Sequence, residues 1–268
     1  MSQQRRPNLK LTADEGGEAR SHEEMTEAEL REELAAAYRI THMLELDNII
    51  YNHISVRVPG PEKHFLINPF GLTYEEVTAS NLVKIDIDGN LVGAKTDTSV
   101  NFAGFLIHGA IHGASDELHC VMHTHTEAGM AVSCMNTELL PIHQEGLMFY
   151  GRVGYHDYEG IVSGVDERER LLRAMGGKPA LILRNHGLLT AAPTIAGALA
   201  MMISLNRACR TQLNLLQSGQ APIILSPEVC SRTAAQHWQG VIPPASFGRQ
   251  TFNALKRRLD RLDDSYKR

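Results

Sequence analysis

The sequence predicts an α/β fold with a sheet that is not purely parallel, and three observations carry that reading. Short apolar runs alternate with segments of helical spacing. Several of these runs follow one another through tight-turn signals, such as Asp88-Gly89-Asn90 ahead of Leu91-Val92. A purely parallel, doubly wound sheet would need more crossover helices than the chain offers.

In chain order, residues 1–25 are polar and charged, which predicts a disordered tail. Thr26 and Glu29 form a capping box ahead of Leu30, Leu34, Ala37, Tyr38 and Met43, so a helix is expected to run to about Asp47. Residues 54–58, 64–67 and 83–87 are short strand candidates. Residues 101–114 have helical spacing, with His108 and His112 on one face. Residues 118–123 read as a buried strand, 127–134 as a helix, and 147–150 and 152–155 as short strands about Gly151. A helix over 166–175 should stop at Gly176-Gly177 and Pro179, before a buried strand over 180–183. Pro193 suits the first turn of a long helix to about Leu216, and residues 227–238 and 247–262 form a helical tail. No Pro/Gly/Ser-rich linker interrupts the chain. The expected organisation is a tail (1–25), one domain (26–220) and a C-terminal helical extension (221–268) packed on that domain or on a neighbouring subunit.

Bulk properties exclude several functions. A net charge of −5 argues against non-specific nucleic-acid binding, which needs a basic face. No apolar run approaches bilayer length, and the N-terminus lacks the apolar core of a signal peptide. Cys120, Cys134, Cys209 and Cys230 have no Cys-x-x-Cys spacing, as expected of reduced thiols in a cytoplasmic protein. Phosphate-binding glycine motifs are missing, so no nucleotide cofactor is implied.

The chemistry concentrates in two short stretches. His123-Thr124-His125 ends one apolar run, and Asn185-His186-Gly187 ends another. Strand residues two apart face the same side, so His123 and His125 can point at one ion and His186 can supply a third nitrogen. Three protein ligands and an open position suit a catalytic divalent metal. Against this, 13 histidines in the chain make a chance His-x-His plausible.

The two stretches also carry a resemblance. Residues 121–126 resemble the first zinc motif of the class II aldolase/adducin family, and residues 183–188 its second. Tyr155-His156-Asp157-Tyr158-Glu159-Gly160 is similar to a phrase of the adducin-like branch and its bacterial relatives. Weaker similarity covers Asn52–Arg57 and Leu66–Gly71, and the whole likeness spans about 27–219. It implies a three-layer α/β/α fold with a mixed, mainly antiparallel central sheet. It also implies Zn2+ (or Mn2+ or Fe2+) on His123, His125 and His186, and a homotetramer with sites at subunit contacts. In that assembly the C-terminal helices, Trp238 and Tyr266 included, could border a neighbour's cleft. The implied activity is that of a lyase acting through a metal-stabilised enolate. It would cleave or dehydrate a small hydroxy-carbonyl compound, or decarboxylate an aromatic hydroxy acid.

Departures from the family pattern narrow this expectation. The acid/base glutamate of the sugar-phosphate aldolases falls at Gly104, and hydroxyl donors of their phosphate pocket fall at Phe70, Phe102 and Ala103. An asparagine falls at His53, and only Gly71 is kept. A pocket bordered by Phe70 and Phe102 would suit an aromatic or less polar guest; plain core packing is the other reading of these rings. Phe70, Gly71 and His53 are the candidate substrate contacts. His143-Gln144-Glu145-Gly146 resembles a phrase of the family's methylthioribulose-phosphate dehydratases, which makes Glu145 the candidate proton-transfer residue; a surface turn or ion pair is the alternative. Glu127 reads as a helix-start charge. His108 and His112 are either supports of the metal cleft or core residues, and His119 is expected to be structural. The rival to the enzyme is a non-catalytic, adducin-like module for metal or protein binding.

Overall fold

The computed structural model describes residues 21–93, 99–160, 165–238 and 246–268. Seven strands form one sheet: β1 (His53–Arg57), β2 (Phe65–Ile67), β3 (Val83–Ile85), β4 (Cys120–Thr124), β5 (Val153–His156), β6 (Ala180–Leu183) and β7 (Gly187–Ala192). Their order is β3-β2-β1-β4-β7-β6-β5. Every neighbouring pair is antiparallel except β5 and β6, so the sheet is mixed and mainly antiparallel.

Helices α1 (Glu27–Met43), α3 (Glu127–Ser133), α5 (Ile195–Gln217) and α7 (Arg249–Leu262) gather on one face, with α6 (Pro227–Trp238) beyond them; α2 (Phe102–Ala114) and α4 (Val165–Met175) cover the other. Strand residues therefore alternate between two dry layers. Ile54, Met122, Ile182 and Leu188 join Leu34, Tyr38 and Leu205 on the first face. Val121, Leu181 and Leu189 join Ile107, Ile111 and Leu171 on the second. The three-layer α/β/α arrangement expected from the sequence is the one observed.

Local signals explain the main elements. The Thr26 side chain accepts from Glu29 N, and the Glu29 carboxylate returns to Thr26 N at 2.8 Å. Asn101, Thr126 and Thr194 cap α2, α3 and α5, each side chain accepting from the backbone N of a glycine three residues on. Buried Tyr38 on α1 ties the ends of β1 and β2 together, its Oη accepting from Ile54 N at 2.7 Å and Asn68 N at 3.2 Å.

Several expectations need correction. Residues 147–150 are no strand: 146–149 form a 3-10 turn beneath α6, because buried Leu147, Met148 and Phe149 face a helix rather than a sheet edge. Strand β7 was not anticipated; its six residues are all buried, so they lack the alternation that marks a half-exposed strand. Helix α1 stops at Met43, and Pro193 precedes the Thr194 cap rather than lying in the first turn. Residues 22–24 of the expected tail form a packed turn, with His22 stacked on His119 at 4.0 Å; the rest of that segment, 1–20, lies outside the described residues.

The C-terminal helix α7 rests on α1 and α5. Tyr266 is fully buried there, its hydroxyl donating to Asp260 at 2.7 Å, so it is a core residue and not the lining of a neighbour's cleft. Trp238 donates from Nε1 to Met148 O at 2.7 Å and stacks on Phe247.

Helix α4 presses closely on β5. A Cβ at Gly154 would lie 2.3 Å from Ala174 O and 3.0 Å from Met175 Cα, both backbone atoms that cannot rotate away. Gly154→Ala should cost about 1–3 kcal/mol through overpacking; urea unfolding that gives an unchanged midpoint would contradict this packing.

Candidate metal centre

Strand β4 is the middle of the site. Its antiparallel register sets His53 of β1 opposite His123, and His123 opposite Leu189 of β7. His53, Ser55, Val121 and His123 therefore share the sheet face covered by α2. His123 Nδ1 lies 2.9 Å from Leu188 O, and since a carbonyl only accepts, Nδ1 carries the proton and Nε2 is bare. His125, just past the strand end, brings its Nε2 within 2.8 Å of His123 Nε2. The rings of His123 and His186 are 4.8 Å apart, and those of His125 and His186 4.7 Å. One ligand nitrogen from each of the three lies within 4.8 Å of the others, so the two distant stretches converge on a space for one cation.

His186 arrives on the turn between β6 and β7, and several contacts fix that turn. Asn185 adopts φ 55°, a left-handed conformation that asparagine tolerates better than most residues. Asn185 N donates to Ser133 O at 3.2 Å, and His186 N to Ser133 Oγ at 3.2 Å. Arg184 donates to Met135 O (2.7 Å) and Thr137 O (3.1 Å), and its guanidinium covers the Tyr155 ring at 4.6 Å. Gly187 is a steric requirement: a Cβ there would meet Thr124 O at 2.5 Å and His125 Cδ2 at 3.0 Å. The small residue lets the second motif pack against the first.

The 155–160 phrase acquires a role the sequence could not supply. Tyr155 Oη accepts from Leu139 N at 2.8 Å while its ring carries Arg184, and His156 O accepts from Arg184 N at 2.8 Å. Glu159 pairs with Arg170. The phrase holds the His186 turn from outside.

The chemistry of the donor set fits a divalent ion. All three imidazoles are held neutral, as ligation requires. Burial, followed by the neighbouring histidines, pushes His123 well below 6.5 and His125 to about 4; burial also lowers His186. Asn48 Nδ2 lies 3.4 Å from His125 Nδ1 and donates to it; an amide turned over would present Oδ1 instead, to accept the Nδ1 proton once Nε2 is a ligand.

The remaining candidates separate. His53 belongs to the cluster, its ring centroid 5.2 Å from that of His123. Phe70, 38% exposed, meets Tyr51 at 6.3 Å and lines a cleft of about 790 Å³ with Arg31, Pro69, Lys84 and Ser99. Gly71 follows it with φ 99°, a conformation suited to glycine. The side chains of Phe102 and Ala103 lie outside the described residues. Glu145 Oε1 accepts from Ser204 Oγ at 2.9 Å and pairs with Arg207 at 3.4 Å. It borders a separate cleft of about 390 Å³ with Met148, His237 and Phe247. His143 accepts from Gly146 N at 3.3 Å and stands apart from the three-histidine group. Residues the sequence reading passed over are Ser55, Ser133 and Asn48; Ser55 alone left a signal, two positions from His53 on one strand face.

The chain belongs to the class II aldolase and adducin family: the family model of the Class II Aldolase and Adducin N-terminal domain matches residues 32–213. A putative aldolase class 2 protein of Caulobacter vibrioides is 42% identical over 241 residues, covering 90% of this chain and 92% of that protein. Rat alpha-adducin is 44% identical over 87% of this chain, which matches 33% of that longer protein. Among solved structures, an aldolase II superfamily protein from Pseudomonas syringae superimposes with a TM-score of 0.85 at 45% identity, over 91% of this chain and 96% of that one. An L-fuculose 1-phosphate aldolase from Glaciozyma antarctica gives 0.79 at 31% identity, over 90% and 93%.

Two outcomes test this geometry. Protein purified without chelator should hold one equivalent of divalent metal, and a folded His123→Ala/His125→Ala variant none; metal retained by the variant would place the site elsewhere. Acid should unfold the metal-free protein. An unfolded histidine titrates near 6.5, whereas burial holds His22 and His125 at about 4 and His53 and His112 at about 3, with His108 and His123 also well below 6.5. Below pH 6.5 the unfolded chain binds more protons, so stability falls as pH falls. Each such group steepens that fall, and the six act in the same direction. Thermal melts should show loss of the folded state between pH 6 and 4; a flat melting temperature across that window would refute it.

Proposed function

We propose that this protein is a divalent-metal-dependent lyase acting on a small hydroxy-carbonyl compound. Its metal is held by His123, His125 and His186, with Zn2+ preferred and Mn2+ or Fe2+ as alternatives. The observation that carries the reading is the convergence of three neutral imidazoles from two separate motifs. A divalent ion there polarises a carbonyl or acidifies a hydroxyl placed beside it. That chemistry serves carbon–carbon cleavage, dehydration and the decarboxylation of an aromatic hydroxy acid alike.

The guest is expected to be less polar than a sugar phosphate. Phe70 stands where the sugar-phosphate aldolases carry a hydroxyl donor, and Phe70, Gly71 and His53 are the proposed substrate contacts. Glu145 is the proposed proton-transfer group, its carboxylate oriented by Ser204 and Arg207 and still 36% exposed. The working form is proposed to be a cytoplasmic homotetramer. The free thiols of Cys120, Cys134, Cys209 and Cys230 support a reducing compartment. No helix among the described residues is long and apolar enough to cross a membrane. The second reading, a non-catalytic adducin-like module for metal or protein binding, is favoured by Gly104 in place of the aldolase glutamate.

Zinc-loaded protein incubated with a panel of hydroxy-ketones, sugar acids and aromatic hydroxy acids, read by mass spectrometry, separates the two. The lyase should form a product that disappears with chelator and in His123→Ala/His125→Ala. Glu145→Gln should slow its formation by about 10²–10⁴-fold. Absence of product at full zinc occupancy would favour the binding module.

A further inference from the structure

Behind the metal centre a line of buried polar side chains runs from α2 across β1, and the enzyme reading above makes no use of most of it. His112 Nδ1 lies 3.2 Å from Leu118 O. His112 Nε2 lies 2.8 Å from Ser55 Oγ. Ser55 Oγ lies 2.6 Å from His108 Nδ1, and His108 Nε2 lies 2.8 Å from His53 Nδ1. Ser55, His108 and His112 are fully buried and His53 is 3% exposed.

The direction of every bond follows from its fixed end. A carbonyl cannot donate, so His112 carries its proton on Nδ1 and leaves Nε2 bare. Burial keeps these imidazoles neutral, with His53 and His112 pushed down to about 3 and His108 well below 6.5. Bare His112 Nε2 must then accept from the Ser55 hydroxyl. Having spent its one proton, Ser55 Oγ accepts from His108 Nδ1–H, and His108 Nε2 is bare in turn. It accepts from His53 Nδ1–H, which leaves His53 Nε2 with a lone pair. That nitrogen has no hydrogen-bond partner among the described residues. It lies beside Gly104, where an added Cβ would sit 2.0 Å away. Any side chain at 104 would displace the ring.

We propose that Ser55, His108 and His112 are positioning residues that lock His53 in the Nδ1–H tautomer, so that His53 Nε2 accepts a hydrogen bond from a hydroxyl of the guest at the metal centre. The lone pair is a specificity device: it rewards a hydroxyl and leaves an ether or methyl in its place without a partner. The chain is anchored on a main-chain carbonyl, so its polarity cannot reverse while His112 stays neutral. The guest contact rests on the metal-site reading; the tautomer lock does not.

Nitrogen-15 NMR of histidine-labelled protein tests both halves. In wild type, metal-free and zinc-loaded, His53 should show a protonated Nδ1 and an unprotonated Nε2. Ser55→Ala should give a tautomer mixture at His53 and His108, and Ser55→Thr should restore the single form. On the zinc-loaded protein, saturating glycolate should shift the His53 Nε2 resonance, whereas methoxyacetate, which lacks the hydroxyl donor, should leave it in place. A protonated Nε2 in wild type overturns the lock, as does an unchanged tautomer in folded Ser55→Ala. Glycolate that fails to bind, or binds without moving Nε2, overturns the contact. Resonances of His123, His125 and His186 that ignore zinc would instead sink the metal reading and leave the lock standing.

Discussion

The register of three antiparallel strands governs the rest of the molecule. Pairing of β1, β4 and β7 sets His53, His123 and Leu189 in one row. A slip of one residue in β1 would turn His53 and Ser55 to the α1 face and bring Ile54 to the α2 face. Two dry layers oppose that slip, because Ile54 and Met122 are buried on one side and Val121 and Leu189 on the other. The polar line through the second layer is thus held in place by apolar packing around it. Burial would cost several kcal/mol for each unpaired polar group, and here it is offset by an unbroken series of hydrogen bonds.

The metal centre shows the same dependence of chemistry on close packing. Glycine appears at two positions for one reason, the absence of room. Gly187 lets the His186 turn settle on Thr124 and His125, and Gly104 gives space to the His53 ring. The space that a side chain at 104 would need is here taken by an imidazole from β1. Around this cluster, Arg184, Tyr155 and Ser133 tie the His186 turn to neighbouring segments, so protein contacts alone hold the three imidazoles together.

Much of the fold could be read from the chain because its signals are local. The Thr26–Glu29 box, the asparagine and threonine caps and the helical spacing of α1, α2 and α5 each lie within a few residues. What escaped depended on distant partners. Strand β7 is buried throughout, and an unalternating apolar run does not announce its neighbours. Residues 146–149 are apolar enough for a strand but meet α6 and become a 3-10 turn. Tyr266, expected at a neighbour's cleft, is buried where residues 265–267 meet α1.

The site divides along the same line. Spacing puts His123 and His125 on one side of a strand and offers His186 as a third nitrogen while leaving a chance pairing open; the family likeness named the same three. The resemblance also marked positions 53, 70 and 104 as departures from the sugar-phosphate aldolases. It could not say that the ring of 53 occupies the space above 104, or that Ser55, His108 and His112 pass hydrogen bonds to it. It equally could not place Glu145 against Ser204 and Arg207, apart from the three histidines. These relations join residues about 50 to 60 positions apart in the chain. Only the assembled sheet and its covering helices bring such groups within bonding distance, and hydrogen-bond direction is settled there, by which atom at the end of the line can only accept.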